Sequence, residues 1–283
     1  MGEETSKAPF RSGFVSITGR PNVGKSTLLN QILGQKIAIV TSRPQTTRNR
    51  ILGIRNIEGA QAVFLDTPGI HSPRHGLGAV MVKEAKQAIK DVDVVLLVVE
   101  PHAPRHEDRA VIKLLLGLNK PVVLAINKID SVKKPDLLPV IQAYSELYNF
   151  ADVLPVSALK GKGVDELLQV LASHLPEGEP LYPEDMVTDA LERFIAAEFI
   201  REKVMHQTDE EVPHSAAVEI VSWEERPDGL VSISANIYVE KDGQKGIIIG
   251  KRGERLKGIG AAARTEIEGL LGTKVFLELW VKV

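Results

Sequence analysis

A glycine-rich run near the N-terminus has the residue types and spacing of a phosphate-binding loop. Residues 19–26 read Gly-Arg-Pro-Asn-Val-Gly-Lys-Ser and fit the pattern G-x-x-x-x-G-K-[ST]. Backbone N–H groups in such a turn approach phosphate oxygens, and the dipole of the helix that follows attracts the anion. We expect Lys25 to reach the β- and γ-phosphates of a nucleotide and the Ser26 hydroxyl to ligate Mg²⁺. The predicted nucleotide contacts here are Gly19, Arg20, Pro21, Asn22, Val23, Gly24, Lys25, Ser26 and Thr27.

Three shorter motifs follow later strand patterns and together predict a guanine base. The Asp66 carboxylate can hold Mg²⁺ through water, and the Gly69 N–H can contact the γ-phosphate. The Asp130 carboxylate can accept from the N1–H and the 2-amino group of guanine, which adenine cannot match. Backbone N–H groups after Ser157 can meet the guanine O6. The predicted contacts are Asp66, Thr67, Pro68, Gly69, Asn127, Lys128, Asp130, Ser157, Ala158 and Leu159.

The elements that must position these motifs alternate between strand and helix patterns up to about residue 175. Continuous apolar, β-branched runs occur at residues 14–18, 62–65, 94–99, 122–126 and 153–156. Such runs predict strands that are buried on both faces, and therefore a doubly wound, mostly parallel α/β sheet. Ligands of this fold bind beyond the carboxyl ends of the strands, where all four motifs lie. We assign residues 9–175 to a P-loop GTPase domain that follows a flexible N-terminus, residues 1–8.

A second domain follows a proline-rich segment. Residues 176–185, PEGEPLYPED, contain three prolines and predict a linker. The patterns over residues 186–283 then run α-β-β-α-α-β, which is the order of a type II KH domain. Trp223 and Trp280 lie in strand patterns of this domain, and we expect both in its core.

The turn between the two consecutive helices predicts an RNA contact. Residues 250–253, Gly-Lys-Arg-Gly, fit the GxxG loop with which KH domains clamp a nucleic-acid backbone. Lys251 and Arg252 are the expected phosphate partners, and three isoleucines before the loop are expected to line the groove for the bases. The predicted RNA-binding residues are Gly246, Ile247, Ile248, Ile249, Gly250, Lys251, Arg252, Gly253 and Arg255.

Composition excludes several classes of protein. The 283 residues include 35 Lys and Arg, 37 Asp and Glu and no cysteine, which excludes disulfides and thiolate chemistry. No apolar run approaches the roughly 20 residues of a membrane helix, and the polar first nine residues resemble no targeting signal. We therefore expect a cytoplasmic protein, and a monomer. Because the net charge is −2, binding to phosphate must depend on a local basic patch.

Taken together, the motifs resemble the Era family of bacterial GTPases over about residues 8–283. The matching strings are GRPNVGKSTLLN, TSRPQTTR, LDTPGIHSP, NKID, SALKG, GIIIGKRG and FLELWVKV. The resemblance implies binding to the 3′ end of 16S rRNA, and a role in 16S rRNA processing and in assembly of the 30S ribosomal subunit. It implies GTP, GDP and Mg²⁺ as ligands, with Mg²⁺ held by Ser26, Thr47 and Asp66. It also implies some peripheral association with the inner face of the cell membrane.

The catalytic expectations combine this resemblance with one departure from small signalling GTPases. Ile70 stands where those enzymes carry a glutamine that orients water, so we expect slow intrinsic hydrolysis. The expected catalytic residues are Lys25, Thr47 and Asn22, with Thr47 as the switch threonine. Asn22 is similar to the asparagine that helps related enzymes to bind K⁺, and this implies hydrolysis stimulated by K⁺.

Two alternatives stay open from the sequence. The chain could be an RNA-binding adaptor with negligible GTPase turnover, since Ile70 leaves the rate undetermined. It could also be another RNA-associated GTPase, although the tRNA-modifying enzymes with the same loop use a C-terminal cysteine that this chain lacks.

Overall fold

The computed structural model describes residues 9–41, 51–66, 89–209 and 212–283. These residues divide into two units. The first contains residues 9–35, 51–66 and 89–189, and the second contains residues 36–41, 190–209 and 212–283. The predicted site residues Thr47, Thr67, Pro68 and Gly69, together with Ile70, lie outside the described residues.

The first unit is built on a six-stranded sheet with the order β2-β3-β1-β4-β5-β6. Strand β2 is antiparallel to β3, and the other neighbouring pairs are parallel. The strands are β1 (Arg11–Thr18), β2 (Ile51–Ile57), β3 (Ala60–Asp66), β4 (Val94–Val99), β5 (Val122–Ile126) and β6 (Asp152–Pro155). The predicted doubly wound, mostly parallel sheet is confirmed, and β2 is an addition that the sequence patterns missed.

Helices follow β1, β4, β5 and β6 and present buried apolar side chains. They are α1 (Lys25–Leu33), α2 (His106–Leu115), α3 (Leu137–Ser145) and α4 (Val164–His174). Strands β4 and β5 are buried along their whole length, as expected for a sheet covered on both sides. The parallel strands therefore deliver the residues that follow their carboxyl ends to a single edge of the sheet.

The segment predicted as a linker, residues 176–185, is hydrogen-bonded to the first unit. Gln61 is fully buried, and its Oε1 accepts from the backbone N–H groups of Leu181 at 2.7 Å and Tyr182 at 2.9 Å. Its Nε2 donates to the Tyr182 carbonyl at 2.9 Å. Further along, the Ile54 N–H donates to the Val187 carbonyl at 2.7 Å. The segment thus runs along the sheet as part of the first unit, which ends at Asp189.

The second unit has helices on one side of a three-stranded sheet. Its elements are α5 (Glu192–Gln207), α6 (Val212–Ser215), β7 (Ala217–Glu225), β8 (Val231–Tyr238), α7 (Asp242–Ile249), α8 (Glu254–Leu271) and β9 (Val275–Lys282). The sheet order is β7-β8-β9, with β8 antiparallel to β7 and parallel to β9. A turn of 3-10 helix, Lys251–Gly253, joins α7 to α8. This order confirms the predicted KH fold.

The prediction that Trp280 is a core residue is wrong. Alternate residues of β9 face opposite sides of the sheet, and Val275 and Val281 occupy the buried side. Trp280 therefore points to the other side and is exposed. Trp223 is half-buried, and the Arg193 guanidinium lies 5.8 Å from the centre of its ring.

Residues 36–40 join the second unit through a buried carboxylate. Glu202 on α5 accepts from Lys36 Nζ at 2.6 Å, from Lys203 Nζ at 2.6 Å and from the Val40 N–H at 2.8 Å. Glu266 on α8 accepts from the same two lysines. Burial alone would raise the pKa of Glu202, but the hydrogen bonds from Lys203 and Lys36 lower it. The segment after α1 is therefore fixed to the helices of the second unit.

We expect Glu202→Ala to destabilise the second unit by about 3 kcal/mol, because it removes the buried carboxylate that accepts from Lys36, Lys203 and the Val40 N–H and leaves the two lysines with Glu266 alone. Urea unfolding of the full chain, followed by circular dichroism, measures this change. The exposed Glu225 on β7 provides the control variant, Glu225→Ala, which should stay within about 0.5 kcal/mol of wild type. Equal stability of the two variants would show that the cluster contributes nothing.

Candidate nucleotide-binding site and nucleic-acid interface

The loop between β1 and α1 has a backbone that only glycine can supply at two positions. Gly19 has a φ of +148°, and a Cβ there would lie 2.3 Å from the Val98 carbonyl oxygen. Gly24 has a φ of +98°, and a Cβ there would lie 2.4 Å from Asn127 Nδ2. The loop wraps around the N-terminus of α1, so its amides and the helix dipole can serve one anion.

Lys25 is buried at the centre of this loop. Its Nζ donates to the carbonyl oxygens of Arg20 at 3.0 Å and Gly19 at 3.3 Å. Burial lowers the pKa of Lys25 from 10.5 to about 8, while the Asp66 carboxylate opposes that shift. A phosphate beside this ammonium would stabilise its charged form and raise the pKa again.

Two oxygen ligands suited to Mg²⁺ lie together next to this lysine. Asp66, at the end of β3, is fully buried, and its Oδ2 accepts from the Ser26 hydroxyl at 2.8 Å. Carboxylate and hydroxyl oxygens are hard ligands of the kind that Mg²⁺ prefers. The pair therefore fits a magnesium ion held between the protein and the phosphates of a nucleotide.

The amide of Asn127 joins the phosphate-binding loop to the loop that follows β6. Its Nδ2 donates to the Val23 carbonyl at 2.9 Å, and its Oδ1 accepts from the Ala158 N–H at 2.9 Å. The residue is buried, so both contacts are shielded from water. The Asn127 side chain therefore contributes to the site by holding the two loops together, through hydrogen bonds to protein backbone groups.

The carboxylate predicted to read the base is exposed and ionised. The Ser157 hydroxyl donates to Asp130 Oδ1, and this hydrogen bond is the largest contribution to the lowered pKa of Asp130. An ionised carboxylate accepts two N–H donors at once, as the N1–H and 2-amino group of guanine require. Leu159, in the same loop, exposes most of its side chain beside this group.

A charge cluster around Glu100 was missed by the sequence patterns. Glu100 follows β4 and pairs with Arg20, Lys128 and His102. Burial alone would raise the pKa of Glu100, but hydrogen bonds from Lys128 and His102 lower it to about 2. Lys128 Nζ also donates to the Asn22 carbonyl at 2.6 Å. The signal that could have found Glu100 is its place directly after a buried strand, at the same edge as the four motifs.

This cluster changes the expected role of Arg20. The Arg20 guanidinium pairs with Glu100 and lies 3.2 Å from Asp108, so its side chain is engaged within the protein. Its backbone can still contribute to the phosphate-binding loop.

The GxxG turn in the second unit exposes two cations on a strained backbone. Gly250 and Gly253 have φ values of +70° and +78°, and Arg252 between them has +53°. A Cβ at Gly250 would lie 2.7 Å from Arg255 Cβ, which explains the glycine there. Lys251 and Arg252 are both exposed. The turn thus presents its backbone and two positive side chains to the same solvent region.

A groove of about 510 Å³ begins at this turn and runs between α8 and β9. Its lining residues are Gly253, Leu256, Lys257, Gly260, Ala261, Arg264, Leu277, Glu278 and Leu279. The floor combines small and apolar residues, and Lys257 and Arg264 add positive charge. Sequence reasoning missed this helix face, although Lys257, Ala261 and Arg264 recur at the three- and four-residue spacing of a single face.

Two predicted RNA-binding residues have other roles in the structure. Ile248 is fully buried in the core, so its predicted place in the groove is wrong. It lies on the inner face of α7, whereas Ile247 is exposed. The Arg255 guanidinium donates to the Ile247 carbonyl, and this contact secures the end of α7 beside the turn.

Models of two protein families match the chain. The family described as "50S ribosome-binding GTPase" matches residues 14–128, and the KH domain family matches residues 211–283. The fold and the site thus define a P-loop GTPase joined to a KH domain.

Similarity to individual proteins identifies the family within this class. GTPase Era of Geobacter metallireducens is 57% identical over 98% of this chain and 94% of its own length. GTPase Era of Ruminiclostridium cellulolyticum is 53% identical over 97% of this chain and 92% of its own length. The chain belongs to the Era family of GTPases.

Two solved structures of Era have the same fold, each with a TM-score of 0.93 and 46% identity. Both alignments cover 97% of this chain and 94% of the other. One is Era in complex with MgGDPNP and nucleotides 1506–1542 of 16S ribosomal RNA. The other is an Aquifex aeolicus Era variant bound to GDP and AlF4⁻.

The described residues provide neither a membrane-spanning helix nor a cluster of His, Asp and Glu side chains for a metal ion. Among the helices in that part of the chain, none has the length and apolar character to cross a membrane. Within the same ranges, no group of three or more His, Asp or Glu side chains is arranged to hold a metal ion.

We expect the affinity for GTP to be constant from pH 7 to about pH 8 and to fall above it by up to about tenfold per pH unit. The free protein loses the Lys25 proton near pH 8, and the phosphates bind best when that proton is present. Isothermal titration calorimetry with a non-hydrolysable GTP analogue between pH 7 and pH 9 measures this dependence.

The control is Lys25→Gln, which lacks the titrating group and should bind more weakly with a nearly flat profile. The pH profile of this variant also shows how much of the change in affinity comes from deprotonation of the guanine base. The same slope in both proteins would exclude Lys25 as the source.

Proposed function

We propose that this protein binds and hydrolyses GTP and uses the nucleotide state to control its binding to the 3′ end of 16S rRNA, in 16S rRNA processing and 30S subunit assembly. The observation that carries the proposal is its likeness, over 97% of the chain, to Era in complex with MgGDPNP and a 16S rRNA segment. The basic GxxG turn and the groove along α8 support the RNA half of the proposal.

In the proposed nucleotide site, the loop of residues 19–27 surrounds the phosphates with its backbone. Lys25 leaves the carbonyl oxygens that now accept from it and binds the β- and γ-phosphates. Ser26 and Asp66 hold Mg²⁺, which neutralises charge on the phosphates when it is bound. Asp130 reads guanine, and Asn127 keeps the two loops around the base in place.

In the proposed hydrolysis step, water attacks the γ-phosphate and GDP leaves with its phosphates still held by the loop. Thr47 is the proposed switch threonine, and it closes on Mg²⁺ when GTP is present. Asn22 would help to hold K⁺, and the cation would supply the positive charge that an arginine finger supplies elsewhere. Ile70 cannot orient water, so the intrinsic rate is slow.

In the proposed RNA site, the turn at Gly250–Gly253 contacts the backbone of single-stranded RNA. Lys251 and Arg252 bind phosphates, and unstacked bases enter the groove between α8 and β9. Lys257 and Arg264 extend the positive charge along that groove. Ile247, which is exposed shortly before the turn, is the proposed apolar contact for a base.

An RNA-binding adaptor with negligible turnover is the alternative function. The motifs for binding GTP would be the same in both cases, so only measured turnover separates them. We propose a monomer that acts in the cytoplasm, while peripheral membrane association remains an implication of the family resemblance alone.

We expect hydrolysis to be at least about tenfold faster in KCl than in NaCl at equal ionic strength, because the proposed site beside Asn22 would take K⁺. Release of phosphate under multiple turnover measures the two rates. Asn22→Ala should lose the stimulation, and Asn149→Ala, at an exposed turn after α3, should keep it. Equal wild-type rates in the two salts would contradict the K⁺ mechanism, and no turnover in either would support the adaptor.

We expect the protein to bind a labelled RNA with the sequence of nucleotides 1506–1542 more tightly with GDPNP than with GDP, and more tightly than a scrambled RNA. Fluorescence anisotropy at several salt concentrations gives the affinity and its salt dependence. Replacing Lys251 and Arg252 by alanine removes two phosphate partners, so the slope of log affinity against log salt should decrease by about 1.4.

Lys274→Ala is the matched control, because this exposed lysine lies after the far end of α8. It should retain wild-type affinity. Weak binding that ignores both RNA sequence and nucleotide would rule out the proposed switch.

A further inference from the structure

One face of the three-stranded sheet in the second unit carries exposed aromatic side chains at its β9 edge. The strand register places Ser232 opposite Phe276, Ser234 opposite Glu278, and Asn236 opposite Trp280. These residues alternate with Ile233, Ala235 and Ile237, which are buried against the helices. We call the side that carries Phe276 and Trp280 the outer sheet face.

Three large apolar side chains are exposed on this face. Phe276 is 52% exposed, Trp280 is 57% exposed and Val221 is 59% exposed. Val221 lies at the bulge where the register of β7 shifts between Ile220 and Ser222. The extra residue of a bulge can turn toward the side opposite to its regular place. Single exposed apolar residues are ordinary, but three on one sheet face indicate an interaction surface.

Val221 and Trp280 both line a shallow hollow on this face. It has a volume of about 360 Å³ and is lined by Val221, Ser222, Ser234, Asn236, Trp280 and Lys282. The indole of Trp280 therefore forms one wall of a depression whose other walls carry hydroxyl and amide groups. Such a depression can hold a side chain that has both an apolar stem and a polar end.

The charge of the outer sheet face is negative. Glu219, Glu224 and Glu278 lie on it, against Lys282. Glu219 accepts from the Tyr238 hydroxyl at 2.8 Å, and Glu278 accepts from the Ser234 hydroxyl at 3.0 Å, which directs both carboxylates across the face. Glu278 also borders the groove along α8.

These features select one class of partner. An arginine side chain can place its stem along the hollow, stack its guanidinium on Trp280 and pair with a neighbouring carboxylate. RNA could stack a base on the same indole, but its phosphates would meet the carboxylates. We propose that the outer sheet face binds an arginine-bearing segment of a partner protein, on the side of the sheet opposite to the helices.

The two tryptophans of the chain make this proposal testable in the full-length protein. Fluorotryptophan labelling gives one ¹⁹F resonance for Trp280 on the outer sheet face and one for Trp223, whose ring lies near Arg193. Trp280→Phe assigns the two signals. The probe is a twelve-residue peptide of alternating arginine and valine, and the comparison ligands are the glutamate-valine peptide and a twelve-nucleotide oligouridine.

We expect the arginine peptide to shift the Trp280 resonance to saturation and to leave that of Trp223 in place. The paired variant Glu219→Gln/Glu224→Gln should weaken this binding at least about tenfold, a loss of roughly 1.4 kcal/mol. The matched control, Glu107→Gln/Glu166→Gln, removes two exposed carboxylates from helix N-termini of the first unit and should change the affinity less than about twofold.

The unchanged Trp223 resonance also verifies that each variant is folded. An unmoved Trp280 signal, or equal weakening by both paired variants, would overturn the proposal. A Trp280 shift caused more strongly by oligouridine than by the arginine peptide would overturn it too, and would identify an RNA surface. None of these results depends on GTP turnover or on the GxxG turn.

Discussion

The nucleotide site depends on the two hydrogen bonds of a single buried amide. Asn127 donates to the Val23 carbonyl and accepts from the Ala158 N–H, so it joins the loop that follows β1 to the loop that follows β6. Gly24 must lack a side chain because this amide occupies the space that a Cβ would take. An aspartate here would lose the donor, and a leucine would lose both bonds, so asparagine alone satisfies the position. The spacing of these two loops is thereby built into the fold.

The sequence predicted the parts of the site that local chemistry determines. Phosphate loops, strand ends and the GxxG turn have residue types that few other structures require, so Lys25, Asp66 and Asp130 could be assigned without coordinates. Glu100 could not be assigned, because a lone glutamate gains its role only from the cations that the fold brings to it. The same holds for strand β2, whose polar Arg55 and Asn56 weaken the apolar pattern and whose place is set by its pairing with β3.

The sequence also could not predict which face of a helix or strand a given residue occupies. Ile248 belongs to a run of three isoleucines, and nothing local distinguishes the one that packs inside from the one that is exposed. On β9, Trp280 alternates with buried valines and half-buried leucines, and its side follows from the register with β8. The location of positive charge was equally hard to predict, because residues 186–283 carry 13 basic and 17 acidic side chains and are therefore acidic on average. The groove along α8 is basic because the fold brings Lys257 and Arg264 to the same helix face beside the GxxG turn.

The buried carboxylate of Glu202 fixes residues 36–40 to the helices of the second unit. Lys36 and Val40 are bonded to it, and Lys36 also pairs with Glu266 on the helix that begins at the GxxG turn. The segment of residues 36–40 is therefore held by two helices of the second unit, one of which begins at the GxxG turn. If bound GTP increases the affinity of the protein for RNA, thermodynamic reciprocity requires that bound RNA increase the affinity for GTP by the same factor. The RNA would then be an effector of the nucleotide site.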